Sequence, residues 1–567
     1  MTATPAYIAD MEQPAQAPTL AKIVNAARAG SLDYAIRLFR SGGFDLALGD
    51  PAALAVAGRL AKDRALRHAG ADRAALMAEA AGAYGRAFAL DPQPYTRINE
   101  ATCTLLAGDT AGAQAIAREL LALLDSGARI AETPYYIIAT RAEALLLLGD
   151  RAGAEARVAH AKRLAIDCPE DQASTLRQLS LILEHRHAER GWLDAYRPRR
   201  ALNFAGHLAL AETAIAPLET RLRTVLTQND VGAGFGALAA GSDLVIAEAL
   251  LDIDAELHVV LPTTPDSFMA QSVVPYGARW AERFARCLDA ATTVRWVSSV
   301  SGEYEPLAIH LAANVAMGAS IMHAKRRWTT AIQLLIIDDA GGPFGGGRDT
   351  AYLGERWRAG TTNDAAMRDR RQICLIAPRS TAVAPSGSKP PEGRADRCLT
   401  AMLHIAFDGF DTLEDGAFAE ALDTIIAPFR RACDALEPQP DVVLPAGNAR
   451  IVAFHDPDAA WRHAAALLAL PETAGRLRVV GHYGLAHWLG TPAALVGTSV
   501  GVLTALAPVA MPGVLIASEA LASAVFVNQA DLIHGEEIGE WRGDKLFALA
   551  PLADNGADRT ADRAEDA

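Results

Sequence analysis

Along the first third of the chain, apolar residues recur at three- and four-residue spacing with few β-branched runs, which predicts helix nearly throughout Leu20 to Arg190. Two segments repeat one local design: LLAGDTAGAQAIARELLALL from Leu105 and LLLLGDRAGAEARVAHAKRLA from Leu145. In each, an apolar helix ends at a glycine (Gly108, Gly149), an aspartate follows that can cap the next helix (Asp109, Asp150), and a small alanine (Ala113, Ala154) allows close helix contact. ARAGSLDYAIRLF around Gly30 is a weaker copy. Stacked helical hairpins of this kind form a quasi-one-dimensional array with a concave binding face; an irregular helical bundle is the alternative.

From about Ala201 the pattern changes to strands alternating with helices. VGAGFGALAAGSDLVIAEALLDIDAELHVVLP, Val231 to Pro262, predicts a strand running into Gly232, Gly234 and Gly236, a helix after Gly241 with Asp243 in its first turn, and a buried parallel strand over Glu256 to Leu261. A glycine loop at a helix entry lets a ligand approach the backbone, and helix N-terminal amides favour phosphate or carboxylate groups. Gly232, Gly234, Gly236, Gly241, Asp243 and Glu248 are therefore the candidate ligand-binding residues. The spacing is not that of a dinucleotide fingerprint, and glycines in α/β folds also serve packing alone. Further strands are expected over Ala291 to Val297 and Ile332 to Asp338, the second leading into the glycine-rich IIDDAGGPFGGGRDT. The run from Pro378 to Arg397, rich in Pro, Ser and Gly, reads as a linker.

Beyond it the expected order is strand (Thr400 to Ala406), helix (Asp415 to Leu436), strand pair (Asp441 to Phe454), helix (Asp458 to Leu470), strand (Arg476 to Gly484), helix (Val500 to Leu506), strand (Val514 to Ala517), helix, and a last strand (Leu546 to Leu549). This mixed α/β order fits a ferredoxin-like domain. Leu485 to Ser518 carries no Asp, Glu, Lys or Arg, but Pro492, Pro508 and Met511-Pro512-Gly513 cut it into pieces, so a buried helix between loops is expected there and no membrane span.

A length of 567 residues calls for several domains. The formal net charge of -14 argues against nucleic acid as the main partner. Six cysteines stand far apart with no paired spacing, so neither a disulfide framework nor a zinc site is signalled, and a reducing cytoplasm fits. The first residues, MTATPAYIADMEQPAQAP, carry an early acid and no apolar core, unlike a secretory signal.

The C-terminal segment resembles the class III nucleotidyl cyclase homology domain through AFDGFDTL, GNARIVAFHDPDAAWRHA, LRVVGHYGLA, LVGTSVGVLTALAPVAMPGVLIAS and GEWRGDKLFAL. The resemblance implies two metal-binding aspartates, yet their positions hold Ala406 and Asn448. The family's asparagine and arginine pair falls on Gly501 and Ala505, the base-reading lysine falls within Val442 to Ala446, and the purine-reading aspartate falls on Ala494. Two-metal chemistry is poorly served by neutral side chains, so a catalytically degenerate domain with no catalytic residues is expected. His482 is expected to be a packed histidine, and Trp280 and Trp357 core anchors.

The N-terminal helices, RRALNFAGHLAL and VGAGFGALAAGSDLVIAEALL together resemble the TPR-S region of bacterial signalling proteins, also found in apoptosis signal-regulating kinases, whose second part looks like a SLOG domain with a Rossmann-like fold linked to nucleotide-derived ligands. The expected fold class is multidomain α and α/β: a disordered tail (1–19), TPR-like repeats (20–195), a SLOG-like Rossmannoid domain (200–377), the linker (378–397), a degenerate ferredoxin-like cyclase homology domain (398–552) and a second tail (553–567). The expected function is a cytoplasmic signalling protein. The repeats would bind a protein partner, the middle domain a nucleotide-derived small molecule, and the cyclase-type domain a second copy of the chain, with no membrane and no cofactor. Two alternatives stand beside it. One is an atypical adenylate or guanylate cyclase, with magnesium or manganese and with Asp408 and Asp456 as displaced ligands; the other is a ligand-free scaffold, recognisable by side chains filling the glycine loops at Gly234 and Gly345.

Overall fold

The computed structural model describes residues 18–126, 130, 132–164, 168–298, 306–340, 343–345, 347–360, 370–380, 397–410, 414–471, 476–490 and 494–552. The expected tails and linker lie outside them, except for 18–19, 378–380 and Arg397. Contacts divide the chain into two compact units, one of residues up to Ala161 and one from Lys162 to Leu552.

The first unit is built of helices Leu20–Arg28 (α1), Leu32–Ser41 (α2), Pro51–Ala65 (α3), Gly70–Leu90 (α4), Pro94–Leu106 (α5), Thr110–Asp125 (α6), Pro134–Leu148 (α7) and Arg151–Leu164 (α8), with sequence neighbours such as α3 and α4, or α5 and α6, packed together. The repeated design works as its sequence suggests. Gly108 and Gly149 sit at φ 101° and 87°, a left-handed conformation that ends α5 and α7. The carboxylates of Asp109 and Asp150 then accept from the amides of Gly112 and Gly153, each at 2.8 Å. Ala113 and Ala154 are fully buried.

The second unit opens with helix Pro169–His185 (α9) and holds two sheets. The first is all parallel, with strands Arg200–Gly206 (β1), Val231–Gly236 (β2), Glu256–Leu261 (β3), Thr293–Trp296 (β4), Ala331–Ile337 (β5) and Gln372–Ile376 (β6) in the order β4-β3-β2-β1-β5-β6. Its connections carry helices Glu212–Gln228 (α10), Ser242–Leu251 (α11), Pro265–Ser272 (α12), Ala278–Ala290 (α13), Pro306–Arg326 (α14) and Arg348–Ala359 (α15). One face packs on α10, α11 and α13, where Trp280 is buried; the other packs on α14 and α15, where Trp357 is buried. By length and composition α14 is apolar enough to cross a membrane, but 67% of its most apolar window is buried within the protein, as befits a central core helix.

The second sheet contains Arg397–Phe407 (β7), Val442–Ala446 (β8), Ala449–Phe454 (β9), Leu477–Leu489 (β10), Ala494–Val496 (β11), Leu515–Ser518 (β12), Ile533–Trp541 (β13) and Asp544–Pro551 (β14), ordered β13-β14-β12-β10-β7-β9-β8 with β11 on β10. Every pairing is antiparallel except β10 with β12. Helices Asp415–Ala421 (α16), Ala427–Asp434 (α17), Pro457–Leu468 (α18), Thr498–Leu506 (α19) and Glu519–Gln529 (α20) complete it. A π-turn at Leu422–Ile426 joins α16 to α17. β10 runs five residues past the expected strand end at Gly484, and its end pairs with β11; the charge-free stretch thus holds a hairpin as well as a helix.

The two sheets share one hydrophobic cluster. Val315, Met317 and Ile321 of α14 join Leu521, Ala522 and Val525 of α20 in it. At the closest approach a side chain on Gly318 would meet the Ser523 backbone, its Cβ 2.0 Å from the carbonyl oxygen. Lys325 donates to the carbonyls of Ala530 and Ile533, Arg326 pairs with Glu537 at 2.6 Å, and Arg295 pairs with Glu519.

Candidate functional site

Gly232, Gly234 and Gly236 lie inside strand β2, and not in a loop at a helix entry. With a period of two they share one face, the face that meets α11. A Cβ on Gly234 would fall 2.2 Å from Cδ1 of Leu250, one on Gly236 2.6 Å from Phe204, and one on Gly232 2.4 Å from Cβ of Arg199. The missing side chains let α11 and its neighbours settle onto the sheet, and the space at Gly234 is already filled. The expected loop is therefore corrected to a strand whose glycines serve close packing.

Gly241 and Asp243 act at the true entry of α11. Gly241 has φ 108° and lies against the backbone of His207, Ala209 and Leu210, a path suited to glycine. Asp243 is buried; its Oδ1 accepts from the Gly206 amide at 2.9 Å and its Oδ2 from the Ala239 amide at 3.3 Å. Burial pushes its carboxyl up to about 7, against the pull of the two backbone donors. Asp243 thereby ties the end of β1 to the loop before α11. Glu248 lies further along α11 and is held by Arg283 at 2.9 Å and Arg286 at 3.2 Å. It lines an open groove of about 400 Å³ with Glu219, Arg223 and Asp252, away from Gly241 and Asp243 on the helix. The six candidate residues thus do not converge on one pocket.

What the strand order does bring together is a group beyond the C-terminal ends of β1, β5 and β6. Strands leave β1 in opposite directions here, the place where open parallel sheets gather ligand contacts. The buried carboxylate of Asp338, at the end of β5, pairs with Arg379 beyond β6, and its Oδ1 accepts from the Ala340 amide at 3.2 Å. A Cβ on Gly345 would sit 2.5 Å from Asp338 Oδ1, so the space at Gly345 is also taken by a side chain. His207, buried beside them, sets its two ring nitrogens 2.9 Å from the Leu208 carbonyl and 2.8 Å from the Ala377 carbonyl. Sequence reasoning missed Asp338 and Arg379 as a pair because 41 residues separate them.

In the second sheet, Ala406 near the end of β7 and Asn448 in the β8–β9 turn occupy neighbouring strand ends, since Ile405 pairs with Arg450. Ala406 lies opposite Arg478 in the ladder, and Asn448 is exposed. The guanidinium of Arg478 donates to the carbonyls of Ala510 (3.1 Å) and Pro508 (3.3 Å) and stands 3.6 Å from Asp408. Asp408, the nearest carboxylate on β7's end, is thus matched with a cation already. Asp456 caps α18 by accepting from the Asp458 amide at 3.0 Å, at the other end of the same sheet, where Phe454 pairs with Ala401. Asp408 and Asp456 are separated by the extended chain from residue 401 to 408, roughly 20 Å at about 3.3 Å per residue, so they do not form one metal site. Gly501 and Ala505 lie on α19, Val442–Ala446 is β8, and Ala494 is in β11. His482 donates or accepts at Ser518 Oγ, 2.9 Å away, and burial lowers its ring to about 4, so it is a neutral packed histidine at ordinary pH.

Residues 6–104 match the family model described as Tetratricopeptide Repeats-Sensor, TPR-S. No curated protein matches the chain in sequence. Solved structures that it is similar to include the catalytic core of a rhodopsin-guanylyl cyclase, 12% identical over 27% of this chain and 97% of that one with a TM-score of 0.24. They also include the adenylyl cyclase CyaB from P. aeruginosa, at 16% identity, 27% and 94% coverage and 0.22, and the guanylyl cyclase domain of the RhoGC fusion protein from the aquatic fungus Blastocladiella emersonii, at 13%, 27%, 97% and 0.23.

Proposed function

We propose that this is a regulatory signalling protein in which a TPR-type array binds a protein partner and a SLOG-like, Rossmann-type domain is welded to a ferredoxin-like cyclase-type domain that performs no nucleotidyl transfer. The observation that carries the reading is the strand end formed by Ala406 and Asn448, two neutral residues where the family resemblance calls for carboxylates, with the nearby carboxylate of Asp408 3.6 Å from the guanidinium of Arg478. Two divalent ions need carboxylates there, and the one at hand, Asp408, is already paired with the guanidinium of Arg478. Gly501 and Ala505 add no donor for a developing charge on phosphate. The α19 face of the sheet, with Gly501 and Thr504 exposed, then serves to pair two copies of the chain.

A nucleotide-type ligand is assigned by this reading to the strand ends beside Asp338 and Arg379, since Leu250 fills the space at Gly234. That filling, together with Asp338 against Gly345, favours a second reading, a ligand-free scaffold. One set of samples separates these cases: full-length protein with ATP, then GTP, in excess manganese, read both for cyclic nucleotide and for thermal midpoint, beside a proven cyclase. The proposal expects no product above a heat-killed blank, for the wild type and for the Ala406→Asp/Asn448→Asp variant, together with a raised midpoint. Product that is lost in Asp408→Ala would make the chain a cyclase with displaced ligands. An unmoved midpoint with no product selects the scaffold.

A further inference from the structure

On the face of the parallel sheet that packs against α14, β3 begins with Glu256 and His258. Two residues apart in a strand, they point the same way. His323, in the last turn of α14, comes down onto them, and one ligand atom from each of the three lies within 4.8 Å of the others. Phe235 walls the group: its ring stacks on His258 at 4.4 Å between centroids and meets His323 edge-on at 5.2 Å.

The polar contacts are uneven. His258 has Nδ1 3.0 Å from Thr293 Oγ1 and Nε2 3.2 Å from Glu256 Oε2. Glu256 also accepts from Arg327, at 2.7 Å on Oε1 and 3.2 Å on Oε2. His323 Nε2 is closed off from solvent and has no hydrogen-bond partner among the described residues. A buried ring nitrogen without a partner is costly as a mere packing element, because its lone pair or proton has given up water for nothing. A metal ion would satisfy it.

We propose that Glu256, His258 and His323 form a binding site for a divalent first-row transition ion of the zinc, cobalt or nickel kind. Two imidazoles and one carboxylate are borderline-soft nitrogen and hard oxygen donors, a set that suits these ions better than magnesium or calcium. The outer contacts fit as well. Thr293 carries a hydroxyl that both donates and accepts, so it receives Nδ1–H when Nε2 turns its lone pair to the metal. Arg327 keeps the shorter bond to Oε1 while Oε2, its longer one, rotates to the ion.

The place of the site gives it a consequence. In the same turn of α14, Lys325 binds carbonyls beyond α20 and Arg326 binds Glu537 of β13. An ion that clamps His323 to β3 therefore fixes the end of the helix that joins the two sheets. The site is a means of stiffening that joint, independent of the proposed absence of nucleotidyl transfer.

The test is a cobalt titration of chelator-treated full-length protein, followed by the visible d–d bands and by competition with zinc. One stoichiometric site is expected, weakened by roughly tenfold in Thr293→Val, where the outer partner of His258 is removed. Loss of the bands is expected in His323→Ala, checked for its native circular dichroism. Arg327→Gln removes the competing cation and is expected to tighten binding, which keeps the test decisive if His323→Ala does not fold. Absence of bands at saturating cobalt, or bands unchanged in Thr293→Val and Arg327→Gln alike, would overturn the site.

Discussion

Both compact units rely on glycine and aspartate to set their helices in place, and they use them for opposite purposes. In the helical array, Gly108 and Gly149 have nothing near their missing side chains; they are there for the sign of φ. In the α/β unit, Gly234 and Gly318 have ordinary backbone angles, and a single added carbon would collide with Leu250 or with the Ser523 backbone. The aspartates divide in the same way. Asp109 and Asp150 cap their helices in solvent, whereas Asp243 bridges two segments inside the protein. One pair of residue types thus serves local chain direction in the array and tertiary closeness in the sheets.

The largest effect that tests this contrast belongs to Gly318. Its obstacle is backbone, which cannot rotate away as a side chain does, so α14 and α20 must separate. Gly318→Ala is expected to cost about 3 kcal/mol, the upper part of the usual range for overpacking, and to expose the second sheet to proteolytic release from the first. A thermal midpoint and digestion pattern equal to the wild type would mean that the two sheets are not held by this contact.

Asp243 gives the next effect, through pH. Its folded value of about 7 lies above the ordinary 3.8, so between these limits the folded state keeps a proton that the unfolded chain releases. Stability contributed here is whole below about pH 4 and is lost as pH rises through 7, by at most about 1.4 kcal/mol per unit. Asp243→Asn resembles the protonated acid: it keeps an acceptor for Gly206 and gives up only the longer contact with Ala239. Thermal midpoints from pH 4 to 7 should therefore fall less in the variant than in the wild type. Parallel profiles would show that Asp243 is ionised throughout.

Much of this was legible in the chain, and the misses have physical causes. Gly108-Asp109 and Gly149-Asp150 are local signals, complete within one turn, and the structure places them as the spacing suggests. Gly232, Gly234 and Gly236 depend on what packs above them, and Leu250 lies too far along the chain for spacing to reveal it. Helices α14 and α20 are apolar on nearly every side, which marks them as buried but does not say that they bury each other. Glu256 and His258 were readable as one strand face, while His323 comes from another element and was not. Ala406 and Asn448 carried meaning only beside a family resemblance, because small and neutral residues announce nothing alone.

The smallest effect closes the contrast between the aspartates. Asp109 spends its carboxylate on one amide, that of Gly112, and faces water. Asp109→Ala removes the cap and is expected to cost about 1 kcal/mol, read as roughly fivefold faster hydrogen exchange at the start of α6. Asp109→Asn should leave exchange near the wild-type rate, since asparagine caps about as well as aspartate. The same Asp→Asn change is thus silent at 109 and visible in the pH profile at 243. A silent change at both would erase the distinction between a solvent cap and a buried bridge, and a costly one at 109 would mean that its charge, and not its acceptor oxygen, holds the array's turn.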